Sequence, residues 1–238
     1  MDIGEIIGDA IAYPLQNIKA LVLYAVLGII AAIIGGAAAV SFIGALGGSG
    51  FSTAVFSGLG AIGLIIFILV LFLIEGYGLD IVKYGIERRA DGPAIDIGRQ
   101  VSNAIKLIIV SFVYYIVPVI ITFVLGIFLQ NWLITIIGII LFIVFALANF
   151  MAKCRLAKTD SLGDALAIGE AIGDISRVGI GKLIATVLLV VIIIAIIVFV
   201  IGLINNLNGT IGSILLGIAS VYFVFFYNRV IGLLYSDV

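Results

Sequence analysis

The 238-residue chain is 64% apolar, with 12 basic and 13 acidic residues and a net charge of −1. A soluble chain of this length would carry about a quarter charged residues, and that shortage excludes a soluble globular domain, a disordered polar chain and a nucleic-acid binder with a basic face. Histidine is absent and Cys154 is the single cysteine, which removes the commonest general base and metal ligand, any intramolecular disulfide and any multi-cysteine zinc site.

The first segment, Ile3-Gly-Glu-Ile-Ile-Gly-Asp9, sets Ile3, Ile6, Ile7, Ala10 and Ile11 at helical spacing on one face and Asp2, Glu5 and Asp9 on the other. It predicts a short amphipathic helix ending at Tyr13-Pro14, with Pro14 opening the next helix. Three acids stand where a signal peptide has bases, and the apolar run that follows is too long for one, so the N-terminus is expected to be retained.

Residues 20–74, 107–152 and 183–228 contain no charge at all. A helical span takes about 20 residues, so each run holds two spans and a turn. Turn residues stand near each middle: Gly47-Gly48-Ser49-Gly50, Gln130-Asn131-Trp132 and Asn205-Asn206-Leu207-Asn208-Gly209. Trp132 suits an interfacial belt. Six helices follow, near 18–44, 54–76, 107–129, 133–152, 183–204 and 210–233, with Pro118 inside the third. Asn208-Gly209-Thr210 is formally a glycosylation acceptor, although in so short a turn.

The charged segments before the runs resemble one another. Residues 168–174, Ile-Gly-Glu-Ala-Ile-Gly-Asp, nearly copy residues 3–9, and residues 97–103, Ile-Gly-Arg-Gln-Val-Ser-Asn, keep the pattern loosely. Each leads to a lysine at a membrane entrance: Lys19, Lys106 and Lys182. Ser161 is placed to cap the third segment, and Gly179 and Gly181 supply its joint. The expected fold is all-α: a single polytopic membrane domain over 1–238, with six transmembrane helices as three hairpins. A short cytoplasmic amphipathic helix precedes each hairpin, in a pseudo-threefold repeat of units 1–90, 91–158 and 159–238. All the bases lie on the side of the termini and long loops, which by the positive-inside rule is cytoplasmic.

Gly4 and Gly8, like Gly169 and Gly173, recur every four residues, as do Gly28/Ala32/Gly36 and Gly209/Ser213/Gly217 within the spans. That spacing permits close helix approach, either within the chain or between copies. The amphipathic helices are expected to dock on the floor of the bundle in preference to lipid, because their polar faces are mainly acidic.

Aligning the inner ends of the second helices puts Glu75, Asn149 and Asn228 at one repeat position. Polar groups at that depth are costly unless paired, which makes them the candidate polar cluster, with Arg229 as a partner for Glu75. Helix-end capping and snorkelling explain the same residues without a site.

The stretch from Gly76-Tyr77 through Lys83, Gly92-Pro93, Asp96 and Ala104-Ile105-Lys106, with Tyr13-Pro14 through Lys19, resembles an uncharacterised archaeal family of multi-pass membrane proteins, common in methanogens and designated domain of unknown function 4013. The third repeat lacks both the Tyr-Pro and the Gly-Tyr elements. The resemblance implies an archaeal cell-membrane location and no assigned activity. The residues favour a non-enzymatic scaffold, accessory subunit or membrane-organising protein, with membrane lipids and either further copies or other membrane subunits as partners, and neither cofactor nor nucleic acid. The alternative is a carrier or channel for a neutral or lipid-like solute; no span carries a charge in its middle, which speaks against charged substrates.

Overall fold

In the computed structural model, which describes residues 1–30 and 59–238, every described regular element is an α-helix. Helix α1 (Ile3–Gln16) starts on a reciprocal cap: Asp2 Oδ1 accepts the Glu5 amide at 2.8 Å, and Glu5 Oε2 accepts the Asp2 amide at 2.9 Å. Two otherwise unpaired donors are satisfied. Ile6, Ala10 and Tyr13 are buried and Glu5, Gly8 and Ile11 are exposed. The helix does not end at Tyr13-Pro14 as the sequence suggested. It runs through Pro14 and stops at Asn17, whose backbone amide and Nδ2 both donate to the Tyr13 carbonyl, at 3.1 and 3.0 Å. Proline removes one hydrogen bond in a helix's closing turn, and the doubly capped carbonyl sets the end. Helix α2 (Ile18–Ile30) then departs at 73° to α1.

Five long helices follow, each apolar and long enough to cross a membrane in all or most of its length: α3 (Leu59–Ile86), α4 (Ile97–Gly126), α5 (Asn131–Thr159), α8 (Ile180–Leu207) and α9 (Gly209–Leu234). The bent pair α1 and α2 passes the same test only when taken together. Between α5 and α8 lie α6 (Leu162–Ala165) and α7 (Ile168–Val178). The long helices extend further at the charged end than expected. Helix α3 continues past Gly76, α4 begins well before Leu107, and α5 runs past Ala152. The charged residues there are tolerated in helices and find partners on neighbouring helices, so nothing forces the helix to stop.

Two further expectations need correction. Residues 97–103 form no separate helix; they are the first turns of α4. Asn103 and Lys106 are less than one helical turn apart and neither proline nor glycine intervenes, so this copy has no room for a joint. Ser161 caps the short α6, with Oγ 3.3 Å from the Asp164 amide, and not the motif helix α7. The joint after α7 is Gly179, at φ +95°, a conformation that glycine adopts without penalty.

Helix α4 passes through Pro118 unbroken. Asn208 caps α9, its Oδ1 accepting the amides of Thr210 and Ile211 at 3.1 Å each. This gives the asparagine a structural role independent of glycosylation. The exposed Trp132 donates from Nε1 to Gln130 Oε1 at 3.1 Å. The turn Gly47–Gly50, with Ala32 and Gly36, falls outside the described residues.

Helices α3, α5 and α9 touch one another; α4 packs on α3 and α5, α8 on α9, α1 across α9, and α7 on α5. Tyr24, Tyr77 and Phe225 stack where α2, α3 and α9 meet, with centroids 4.8–6.1 Å apart. Backbones approach closely at Gly76 against Gln100, at Gly212 against Asn205, and at Gly232 against Val82 and Gly85. The four glycines expected from spacing do not make such contacts. A Cβ added at Gly8, Gly169 or Gly173 would meet nothing within 4 Å, and one at Gly4 only the Asp2 side chain. Among the described residues they pack closely against no other helix. Outside this core the long helices present Ile65, Phe112, Ile120, Phe123, Phe199 and many other apolar side chains to the surroundings, as an integral membrane protein does.

Candidate functional site

Glu75, Asn149 and Asn228 all stand near the charged ends of α3, α5 and α9, but the structure does not bring the three together. Glu75 reaches Lys153, with Oε2 and Nζ 3.9 Å apart, and Lys153 in turn donates to Tyr227 Oη at 3.1 Å, its Nζ 5.0 Å from the ring centre. Lys153 is 9% exposed, so the acid and the phenol compensate a cation held almost wholly out of solvent. The convergence therefore involves residues one turn after Asn149 and one position before Asn228. Successive helix positions are rotated by about 100°, so if Tyr227 faces α5, then Asn228 and Arg229 must face other neighbours.

Asn228 is fully buried against Gly78 and donates from Nδ2 to the Val224 carbonyl of its own helix at 2.7 Å, and its Oδ1 has no hydrogen-bond partner among the described residues. Asn149 is half-buried. Arg229 pairs with Asp9 of α1, and not with Glu75. Its Nε and Nη2 reach the two Asp9 oxygens at 2.6 and 3.2 Å, and Nη1 donates to the carbonyls of Tyr84 and Arg89 at 3.2 and 2.7 Å. The guanidinium also lies 4.4 Å from the Tyr13 ring centre. A 1%-exposed arginine thus spends its donors on a two-pronged carboxylate contact and two carbonyls.

Two more clusters of the same kind occupy the charged end. Asp80 on α3 accepts from Arg99 Nε at 3.1 Å and from Asn103 Nδ2 at 3.0 Å, both on α4. Asp174 on α7 accepts from Arg155 Nη1 (3.1 Å), Arg177 Nη1 (2.7 Å) and Tyr235 Oη (2.6 Å). Asp9, Asn103 and Asp174 are the seventh residues of the three similar segments. Each binds a partner at the charged end of a long helix: Arg229 of α9, Asp80 of α3 and Arg155 of α5. Sequence reading named none of Asp80, Lys153, Arg155 or Asp174 as a site residue. The recurring seventh position was the available signal, but its partners lie on other helices and carry no local mark. Outside the helices, the Arg89 guanidinium beside Asp91 holds that exposed carboxyl below the usual carboxylate range and ties down the α3–α4 loop.

Apolar grooves open between the helices. One of about 640 Å³ runs between α3 and α4, lined by Phe72, Leu107, Ser111, Phe112 and Tyr115, with Glu75 on its wall. Others of about 420 and 290 Å³ lie among α2, α3 and α9 and among α5, α8 and α9. Among the described residues no cluster of three or more acids or cysteines suits a metal ion. Chemically, the charged end fastens helices, while the grooves offer apolar wall with little polar lining. A family model described as "Protein of unknown function (DUF4013)" matches residues 59–206. No curated protein and no solved structure matches the chain.

Proposed function

The chain belongs to the DUF4013 family, and from that premise we propose that it is a non-enzymatic membrane scaffold: an accessory subunit or membrane-organising protein of the cell membrane. One observation carries the reading. The buried charges of the described helices, Asp80, Lys153, Asp174 and Arg229, are all taken up in contacts that join one helix to another. A carrier of charged substrates would keep such groups facing a pathway.

The same contacts support the repeat reading, with units 1–90, 91–158 and 159–238. The seventh motif residue of each unit grips the unit before it: Asn103 holds unit 1 through Asp80, Asp174 holds unit 2 through Arg155, and Asp9 closes the ring on unit 3 through Arg229. In this reading α2 begins the first of six spans, and α1 and α7 are amphipathic helices docked on the bundle floor. The open glycines Gly4, Gly8, Gly169 and Gly173 are then available to a second copy or a partner subunit. The groove walled by Glu75 favours the second reading, a carrier or channel for a neutral or lipid-like solute.

Reconstitution into liposomes separates the two. On the scaffold reading, Glu75→Gln and Asn149→Leu alter stability or assembly and change no flux. Solute uptake that Glu75→Gln abolishes would sink it.

We also propose that both termini are cytoplasmic, in the membrane of an archaeal cell as the family resemblance implies. Cys154 is fully buried, so thiol labelling has no exposed background among the described residues. Thr210→Cys, in the first turn of α9, should react with a membrane-impermeant maleimide on intact cells, and Asp91→Cys only after lysis. The opposite pattern inverts the orientation.

A further inference from the structure

The three entrance lysines are not treated alike. Lys106 Nζ lies 2.5 Å from Asp160 Oδ1, and Lys182 Nζ 3.9 Å from Asp237 Oδ2. Each of these acids follows the second helix of the lysine's own unit. The acids that follow α3, the second helix of the first unit, are Glu87 and Asp91, and Arg89 engages both, at 3.7 and 2.6 Å. Among the described residues Lys19 is left with no carboxylate. It lines a cavity of about 330 Å³ together with Asn17, Ala20, Tyr77, Pro93 and Ile95.

The rim of that cavity is unusual for a charged loop. Ile18 (52% exposed) and Ile95 (47%) line it with largely exposed side chains, Leu15 (60%) and Ile97 (65%) are exposed close by in the chain, and Val22 stands one turn beyond Ile18 on α2. Exposed aliphatic groups beside an unpaired cation match the boundary between headgroups and acyl chains. We infer that this cavity binds the phosphate headgroup of an anionic membrane lipid, with Lys19 as its counter-ion and the hydrocarbon chain lying along Ile18 and Val22. A free phosphate shares the headgroup chemistry, but it gains nothing from the aliphatic rim. The inference rests on the membrane-organising reading and gives it a lipid class.

The test is native mass spectrometry of the full chain in detergent, titrated with phosphatidylglycerol, with phosphatidylcholine and sodium phosphate in separate arms. The wild-type protein should retain a phosphatidylglycerol that Lys19→Gln binds about fivefold more weakly, the change that goes with about 1 kcal/mol for one base at a membrane surface. Lys19→Arg should keep the affinity. Lys158→Gln, which removes a base stacked on Tyr235, should also keep it. Equal affinity in wild type and Lys19→Gln overturns the proposal. Equal retention of phosphatidylcholine removes the anion recognition, and displacement by millimolar phosphate assigns the site to a free anion. Failure of the scaffold reading would show instead as Glu75-dependent flux, a readout that Lys19→Gln leaves alone.

Discussion

Asp174→Ala should lower the stability of the folded chain by about 3–5 kcal/mol, the usual cost of removing one partner from a buried ion pair. Asp174 is fully buried and receives donors from three directions: Arg155 on α5, Arg177 on its own helix, and Tyr235 beyond the end of α9. Its loss does not fall equally on the three. Arg177 has a side chain 59% exposed and regains water, whereas Arg155, at 18%, keeps the Asp164 carbonyl at 2.9 Å but only the distant Glu170, at 3.9 Å, as a carboxylate. The cost therefore comes from a half-stranded guanidinium and an orphaned phenol, and α7 loses its grip on α5. Thermal unfolding in detergent measures it. Asp174→Asn should lose less, because an amide oxygen still accepts from Tyr235 or an arginine. Glu170→Ala, with its side chain 58% exposed and its pairs near 3.8 Å, should stay within about 0.5 kcal/mol of wild type. An Asp174→Ala protein as stable as wild type would show that the cluster fastens nothing.

The parts of this fold that were legible in the sequence are those set by local composition. Uncharged runs locate apolar helices, and Gly179 and Asn208 mark their ends because a left-handed joint or an amide-capping side chain acts within a few residues. The similar segments at 3–9, 97–103 and 168–174 were legible as well, but the expected separate helix at 97–103 was not formed, because the shorter Asn103–Lys106 spacing lets α4 run straight through. The pairing of charges was not. Arg229 and Asp9 are 220 positions apart, and nothing near either residue distinguishes Asp9 from Glu75 as the partner. A rotation of one helix position decided the candidate site: the repeat register found Asn228, and the contact belongs to Tyr227. Burial also escaped the reading, because Asp80, Lys153 and Asp174 sit at the charged end, where sequence alone places every acid and base in water.

Gly76→Ala should be more damaging than any other single methyl added to the described glycines. A Cβ at Gly76 would lie 1.9 Å from the Gln100 carbonyl oxygen, 2.5 Å from its carbon and 2.7 Å from its Cα. All three are backbone atoms in the second turn of α4, so no rotamer change relieves the overlap and the two helices must separate. Overpacking a core costs about 1–3 kcal/mol when side chains can yield, and more when they cannot. The separation also pulls on what the contact holds in register: Gln100 Oε1 accepts the Tyr24 hydroxyl at 2.7 Å, and Asn103 donates to Asp80 one turn further on. Glycine here allows the backbone approach on which the Asp80–Asn103 contact depends. The expected result is loss of most monodisperse protein on size exclusion, with a residual fraction that unfolds at a markedly lower temperature. Gly8→Ala is the counterpart, since an added methyl there meets nothing within 4 Å and alanine favours the helix by about 0.5–1 kcal/mol. It should hold or raise the unfolding temperature of the isolated chain. If it does so while weakening self-association or partner capture, the open face of α1 is an interface. Unchanged assembly would leave the four-residue glycine spacing without a role in association.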